Sequence, residues 1–237
     1  AHALSPWAGL LITPFAGMAI VAIARRWFPG SEGSGIPQTI AALEAAEGTV
    51  ARGRFLSLRI AFGKLWLGTA ALAGGFSVGR EGPSVQMGAS IMYSFRRLLP
   101  RGHSIRARDM MLAGGAAGIA AAFNTPLAGI VFAIEELSRR FEQRTNGVLL
   151  TAIVLAGLVS ISLQGNYLYF GHLSVEMIDH RILWPVLICA IVCGTAGGIM
   201  SRLLLYSTTP WRGLLGRVRH GKPIIFAGLC GLVVALL

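Results

Sequence analysis

Apolar residues along this chain gather into long runs: 7–24, 60–78, 110–137, 148–163, 183–205 and 223–237. A helix that crosses the hydrocarbon core of a bilayer needs about 20 predominantly apolar residues. Each run therefore predicts a membrane helix, and the third is broken near Pro126. The polar stretches between runs are short and rich in arginine. Arg25 and Arg26 follow the first run, and Arg52, Arg54 and Arg59 precede the second. Arg96, Arg97, Arg101, Arg106 and Arg108 fill one loop, Arg139, Arg140 and Arg144 another, and Arg212, Arg217, Arg219 and Lys222 the last. Cytoplasmic loops carry an excess of Lys and Arg, so all five are expected on the cytoplasmic side. The stretch 164–182, with Glu176 and Asp179, then faces outside.

This sidedness forces residues 60–95 to leave the cytoplasm and return to it, with GREGP (79–83) at the turn. At about 1.5 Å per residue the rising arm reaches about 28 Å and the falling arm about 20 Å, so the turn lies deep. Residues 109–138 likewise rise and return, turning at Asn124-Thr125-Pro126. Non-helical backbone at membrane depth survives only where protein buries it or a wet cavity adjoins it. Broken helices of this kind mark transporters and channels. The glycine pairs Gly75/Gly79, Gly114/Gly118 and Gly194/Gly198 have the four-residue spacing of close helix packing.

Composition agrees with a membrane chain: 54% of the 237 residues are hydrophobic and 13% charged, with 31 glycines. A net charge of +11 would suggest nucleic acid in a soluble protein, but here the basic residues sit in loops beside apolar runs. No nucleic-acid partner is expected. Cys189, Cys193 and Cys230 all fall inside apolar runs and are expected to be small buried hydrophobes, neither disulfide nor metal ligands. The chain starts without methionine and stops inside an apolar run, so it is expected to be incomplete at both ends.

Three of the ten acidic residues, Glu81, Glu135 and Glu136, lie in apolar surroundings. A charge at the bilayer centre costs about 2.5–3.5 kcal/mol on insertion scales, so such residues are functional candidates by default. The alternative for Glu81 is a structural pair with Arg80 or another cation. GREGP leads into a helix that Pro83 can open, and free amides at such a start attract an anion. GSGIP (33–37) repeats the pattern ahead of Pro37, with Ser34 adding a hydroxyl donor. A plain capping turn is the alternative there, but the pairing with GREGP predicts an anion pathway. Glu135 and Glu136 fall about 15 Å down the helix that follows Pro126, toward the cytoplasm. They point about 100° apart and so cannot share one task. Lys64, alone in its run, is expected to snorkel to the interface, with a positive field for anions as the sharper possibility. His172, Glu176 and His180 have helical spacing that could hold a metal, a weak pattern in a polar loop. No GxxxxGK[ST] phosphate loop is present, and Glu32 stands where an intramembrane serine hydrolase would want glycine. An intramembrane enzyme using Glu81 as base would also need a nucleophile or metal cluster beside it, and none is found.

GSGIP at 33–37, GREGP at 79–83 and GGAAGIAAAFNTPLAGIVFAIEEL at 114–137 closely resemble the CLC chloride channels and chloride/proton antiporters, in order and spacing. The resemblance implies an all-α, multi-pass inverted-repeat fold, with the rest of the first repeat at 1–182 and the start of the second at 183–237. It implies a homodimer with one anion pathway per subunit, chloride and protons as transported ions, no cofactor, and residence in a membrane, expected to be the bacterial inner membrane. Chloride would be held by Gly33, Ser34, Gly35 and Ile36 together with the amides at Arg80, Glu81 and Gly82. Glu81 matches the family's gating glutamate, and Glu136 its internal proton glutamate. Ser34 is similar to chloride-selective members, and glutamate at 136 to antiporters, so the expected activity is chloride/proton exchange. The alternative is a passive chloride channel. The family's third anion-binding segment and its pore tyrosine have no counterpart in this chain.

Overall fold

The computed structural model describes residues 6–46, 50–100, 105–138, 146–165, 171, 182–209, 211 and 213–236. The metal pattern His172, Glu176 and His180 lies outside them. Eleven α-helices are described: α1 (Pro6–Trp27), α2 (Ile36–Glu44), α3 (Val50–Phe55), α4 (Leu58–Ala73), α5 (Glu81–Phe95), α6 (Ala107–Phe123), α7 (Pro126–Phe132), α8 (Asn146–Gln164), α9 (Leu183–Thr208), α10 (Leu214–Gly221) and α11 (Pro223–Leu236). No strand occurs among the described residues. Among the described residues, four segments are long and apolar enough to cross a membrane: Gly9–Trp27, Arg52–Ala73, Gly147–Gln164 and Leu183–Ser207. The chain is an integral, multi-pass membrane protein.

Packing divides the chain into two units, Ala1–Tyr169 with Ala227–Leu237, and Phe170–Phe226. The first is built on α5, α6 and α8. Val85 and Ala89 of α5, Met111, Ala113, Ala116 and Ala120 of α6 and Ile153 of α8 are fully buried together. Small residues set the separation of the first two helices. A Cβ on Gly114 would overlap the Gly88 carbonyl, and one on Gly118 the Ser84 carbonyl. The Gly114/Gly118 pair thus packs as its spacing predicts.

The other two glycine pairs do not. Gly75 and Gly79 lie in the irregular stretch after α4, Gly75 at φ 90°. The helix ends at Ala73, so there is no continuous face for a packing motif. Gly194 and Gly198 are on α9 with nothing within 4 Å of a built Cβ. The cysteines also differ from expectation: all three are free but exposed, because α9 in its own unit and the outer face of α11 carry no covering layer.

The break after α6 is made by Asn124, the one described non-glycine residue with positive φ, at 55°. Its left-handed backbone ends the helix and Pro126 opens α7. α7 then folds back on α6, where Gly129 leaves no room for a Cβ against the Ala116 carbonyl and the Ala120 methyl. This is the expected re-entrant turn.

Arginines of the basic loops cap helix ends, a role that charge asymmetry alone does not reveal. Arg59 Nε donates to Trp27 O at the end of α1 (2.8 Å), and Arg52 Nη2 to Ala45 O beyond α2 (2.7 Å). In the second unit Arg219 Nη1 donates to Ser207 O in the last turn of α9 (2.5 Å) and lies over the Trp211 ring. Terminal carbonyls lack intrahelical partners and carry partial negative charge, so a guanidinium there satisfies both.

Candidate anion site

The two glycine-rich motifs meet. A Cβ on Gly35 would overlap the Gly82 carbonyl and stand 3.1 Å from the Gln86 Cβ. A Cβ on Gly82 would overlap the Ser34 carbonyl and stand 2.5 Å from Ser34 Oγ. Backbone therefore touches backbone where α2 and α5 begin, with the Ser34 hydroxyl against the first turn of α5. Only glycine permits this approach. Gly33 and Gly35 also adopt φ of 78° and 116°, the region L-residues avoid.

α5 begins at Glu81 with Arg80 as its N-cap, two residues earlier than the opening at Pro83 that the sequence suggests. Proline, lacking N–H, is tolerated anywhere in a first turn, and Ser84 N donates to Arg80 O (2.9 Å) to close that turn. Glu81 is half-buried, and its Oε2 curls back to 2.8 Å from where a Cβ on Gly79 would stand. The carboxylate thus stays at the start of its own helix. Arg80, Gly33 and Ser34 are exposed, Gly82 and Gly35 buried, Ile36 half-buried. Ile36 packs on the main core and so ties the loop to α5 and α6.

Three side chains hold the GSG loop. Gln38 Oε1 accepts from Gly35 N (2.9 Å) and its Nε2 donates to Glu32 O (2.7 Å). Glu32 Oε2 accepts from Gly30 N (2.7 Å). Lys64 Nζ donates to Gly33 O (2.5 Å). The Gly35 amide is thereby already engaged, so the donors this loop can turn to an anion are the Ser34 hydroxyl and the amides beside it. Lys64 corrects the snorkelling expectation: the residue is 6% exposed. On α4 it faces the GSG loop, where the Gly33 carbonyl receives its ammonium. It therefore combines loop positioning with a positive charge beneath the motif. Hydrogen bonds to charged groups contribute about 1.5–3 kcal/mol. For an anion held at this junction, as the motifs imply, Lys64→Met in the full-length protein should weaken binding by about tenfold, read by isothermal titration. Unchanged affinity would show that Lys64 only braces the loop.

Glu135 and Glu136 lie on a π-helical turn, Ala133–Ser138, and both are exposed. π-turns inside helices occur frequently at functional sites, and this one has no sequence signal. Beside Glu136, Leu137 is buried. A Cβ on Gly115 would stand 2.9 Å from Leu137 Cδ1, 3.4 Å from Val85 Cγ1 and 3.9 Å from Thr39 Cγ2. Thr39 is one turn beyond Gly35, and Val85 one turn beyond Glu81. Glu136 is thus adjacent in sequence to the point where α2, α5 and α6 converge beneath the two motifs, without itself joining them.

A cavity of about 450 Å³ opens on the other face of α5, from Arg80 and Ser84 along Gly88 and Gly114. Ser34 and Glu81 do not line it. Among the described residues no cluster of His, Cys, Asp or Glu could hold a metal.

Broken helices, a re-entrant turn and two helix starts joined through glycine define a membrane protein of the channel and transporter kind. The family model described as voltage gated chloride channel matches residues 16–237, and the chain belongs to that family. It is 32% identical over 226 residues to the H(+)/Cl(−) exchange transporter ClcA of Cronobacter sakazakii, a match covering 89% of this chain and 45% of the relative. Its fold is similar to the crystal structure of a slow cyanobacterial Cl−/H+ antiporter, with TM-score 0.78 and 25% identity over 98% of this chain and 53% of that one. The chain spans about half the length of the relatives it matches. The all-α fold and the family expected from the motifs are both found.

Proposed function

We propose that this chain contributes half of the anion pathway of a chloride/proton exchanger, a transport protein rather than an enzyme. The observation that carries the reading is the Ser34 hydroxyl lying against Gly82, at the start of the helix that bears Glu81. An anion at this junction meets one hydroxyl, the amides of Gly33, Ser34 and Ile36, and the amides at Arg80, Glu81 and Gly82 where α5 starts. Gly35 holds the turn more than it donates. Glu81 competes with chloride for the helix start until it takes up a proton, and Glu136 supplies that proton from the cytoplasmic side. The two relatives described above are named as exchangers of these two ions, which favours exchange over passive conduction. In the whole protein, residues 1–182 belong to the first repeat and 183–237 open the second. We place it as a homodimer in the bacterial inner membrane, with no cofactor beyond the transported ions.

The test is full-length protein in liposomes under a chloride gradient, with proton movement read externally. Exchange predicts protons driven opposite to chloride; chloride flux without proton movement would mean a channel. Glu136→Gln should remove proton coupling while chloride still passes, and Glu135→Gln should leave coupling largely intact. The reverse pattern would move the proton station by one residue.

A further inference from the structure

A cavity of about 550 Å³ lies at the opposite end of α5 from Glu81, between the α3–α4 turn and the 3-10 turn Arg96–Leu98. Its wall is apolar: Leu56 is buried, while Leu58, Phe95 and Leu98 are exposed. Arg96 and Arg97 stand at its edge, and no acidic side chain lines it. Arg96 is fixed there, its guanidinium carbon 3.6 Å from the Tyr93 ring centroid and its Nη1 donating to Tyr93 O (2.8 Å). That bond uses one of the five guanidinium N–H donors. Arg97 is exposed.

The arginine-rich loops put this cavity at the cytoplasmic boundary of the bilayer. An apolar slot with a cationic rim at that depth suits an amphiphile with a hydrocarbon tail and an anionic head. We propose that it binds an anionic phospholipid, with the phosphate on Arg96 and Arg97 and part of an acyl chain along Leu56, Leu58 and Leu98. The volume falls within the range of about 300–1,000 Å³ usual for ligand sites. Basic pockets between membrane helices on the cytoplasmic side take anionic headgroups in this way. A soluble anion gains nothing from the apolar wall. A zwitterionic lipid brings a second, cationic group to a rim that already carries two. None of the lining residues belongs to the anion site, so the inference stands whether or not the exchanger reading does.

Native mass spectrometry of the full-length protein with equimolar phosphatidylglycerol and phosphatidylcholine tests it. Each arginine near an anionic headgroup shifts binding by roughly fivefold, so the wild type should retain phosphatidylglycerol at least about fivefold over phosphatidylcholine. Arg96→Gln with Arg97→Gln should bring the two lipids level, and Lys at both positions should keep most of the preference. Arg25→Gln with Arg26→Gln removes the same charge elsewhere on that face and should change nothing. Gly53→Trp fills the slot from a position where a Cβ meets nothing within 4 Å, leaves both arginines, and should also abolish the preference. Equal retention by the wild type, a preference that survives the Gln pair or the Trp variant, or an equal loss in the Arg25/Arg26 pair would each overturn the proposal.

Discussion

Glu81→Gln in the full-length protein is expected to keep chloride flux and to reduce chloride-driven proton movement to background. The side chain stands in the first turn of α5 and folds back over its own loop, where first-turn amides and the helix dipole favour a negative group. On the proposed function, an ionised carboxylate and a chloride ion compete for that position. Protonation weakens the carboxyl's hold and lets the anion in; deprotonation restores the competition and sends the proton on. Glutamine keeps the size of the side chain, is neutral at every pH and has no proton to give. Chloride therefore passes without driving its counter-ion. Paired chloride and proton traces from the same liposomes decide it, and proton pumping at the wild-type rate would remove Glu81 from the mechanism.

The helices and the motifs were legible in the chain because each rests on local chemistry. Apolar runs specify α1, α4, α8, α9 and α11, and Asn-Thr-Pro specifies the break between α6 and α7. Glycine-rich stretches ahead of proline mark the starts of α2 and α5. What the sequence did not disclose is set by tertiary contact. The engagement of Gly35 N by Gln38 has a faint trace, since a glutamine three residues past a helix cap is a known capping spacing. Lys64 stands out as a lone cation, but whether it runs to water or to a carbonyl depends on where the GSG loop lies, 31 residues away. The same holds for glycine pairs. Gly114/Gly118 and Gly75/Gly79 have identical spacing, and only the end of α4 at Ala73 makes the second pair a turn. The π-turn at 133–138 has no pattern of its own in the sequence.

Gly82→Ala should be more damaging than its single methyl suggests. Within a helix alanine is favoured over glycine by about 0.5–1 kcal/mol, so the exchange should if anything strengthen α5 locally. The added Cβ, however, would overlap the Ser34 carbonyl and stand 2.5 Å from Ser34 Oγ. The hydroxyl can swing aside about χ1, but the carbonyl is backbone and cannot. The carbonyl belongs to a loop braced on Gln38, Glu32 and Lys64, so relief requires the whole GSG segment to move away from α5. That movement separates the hydroxyl from the first-turn amides, which must converge to replace the water stripped from an anion. Displacements of about an ångström at such preorganised sites cost on the order of a hundredfold. Gly82→Ala should therefore lower chloride affinity and transport by at least about tenfold, with thermal stability nearly unchanged. Gly68→Ala on α4 is the control, since a Cβ there meets nothing within 4 Å, and it should be silent. Wild-type chloride affinity in the Gly82 variant would show that the contact between the two motif loops does not build the anion site.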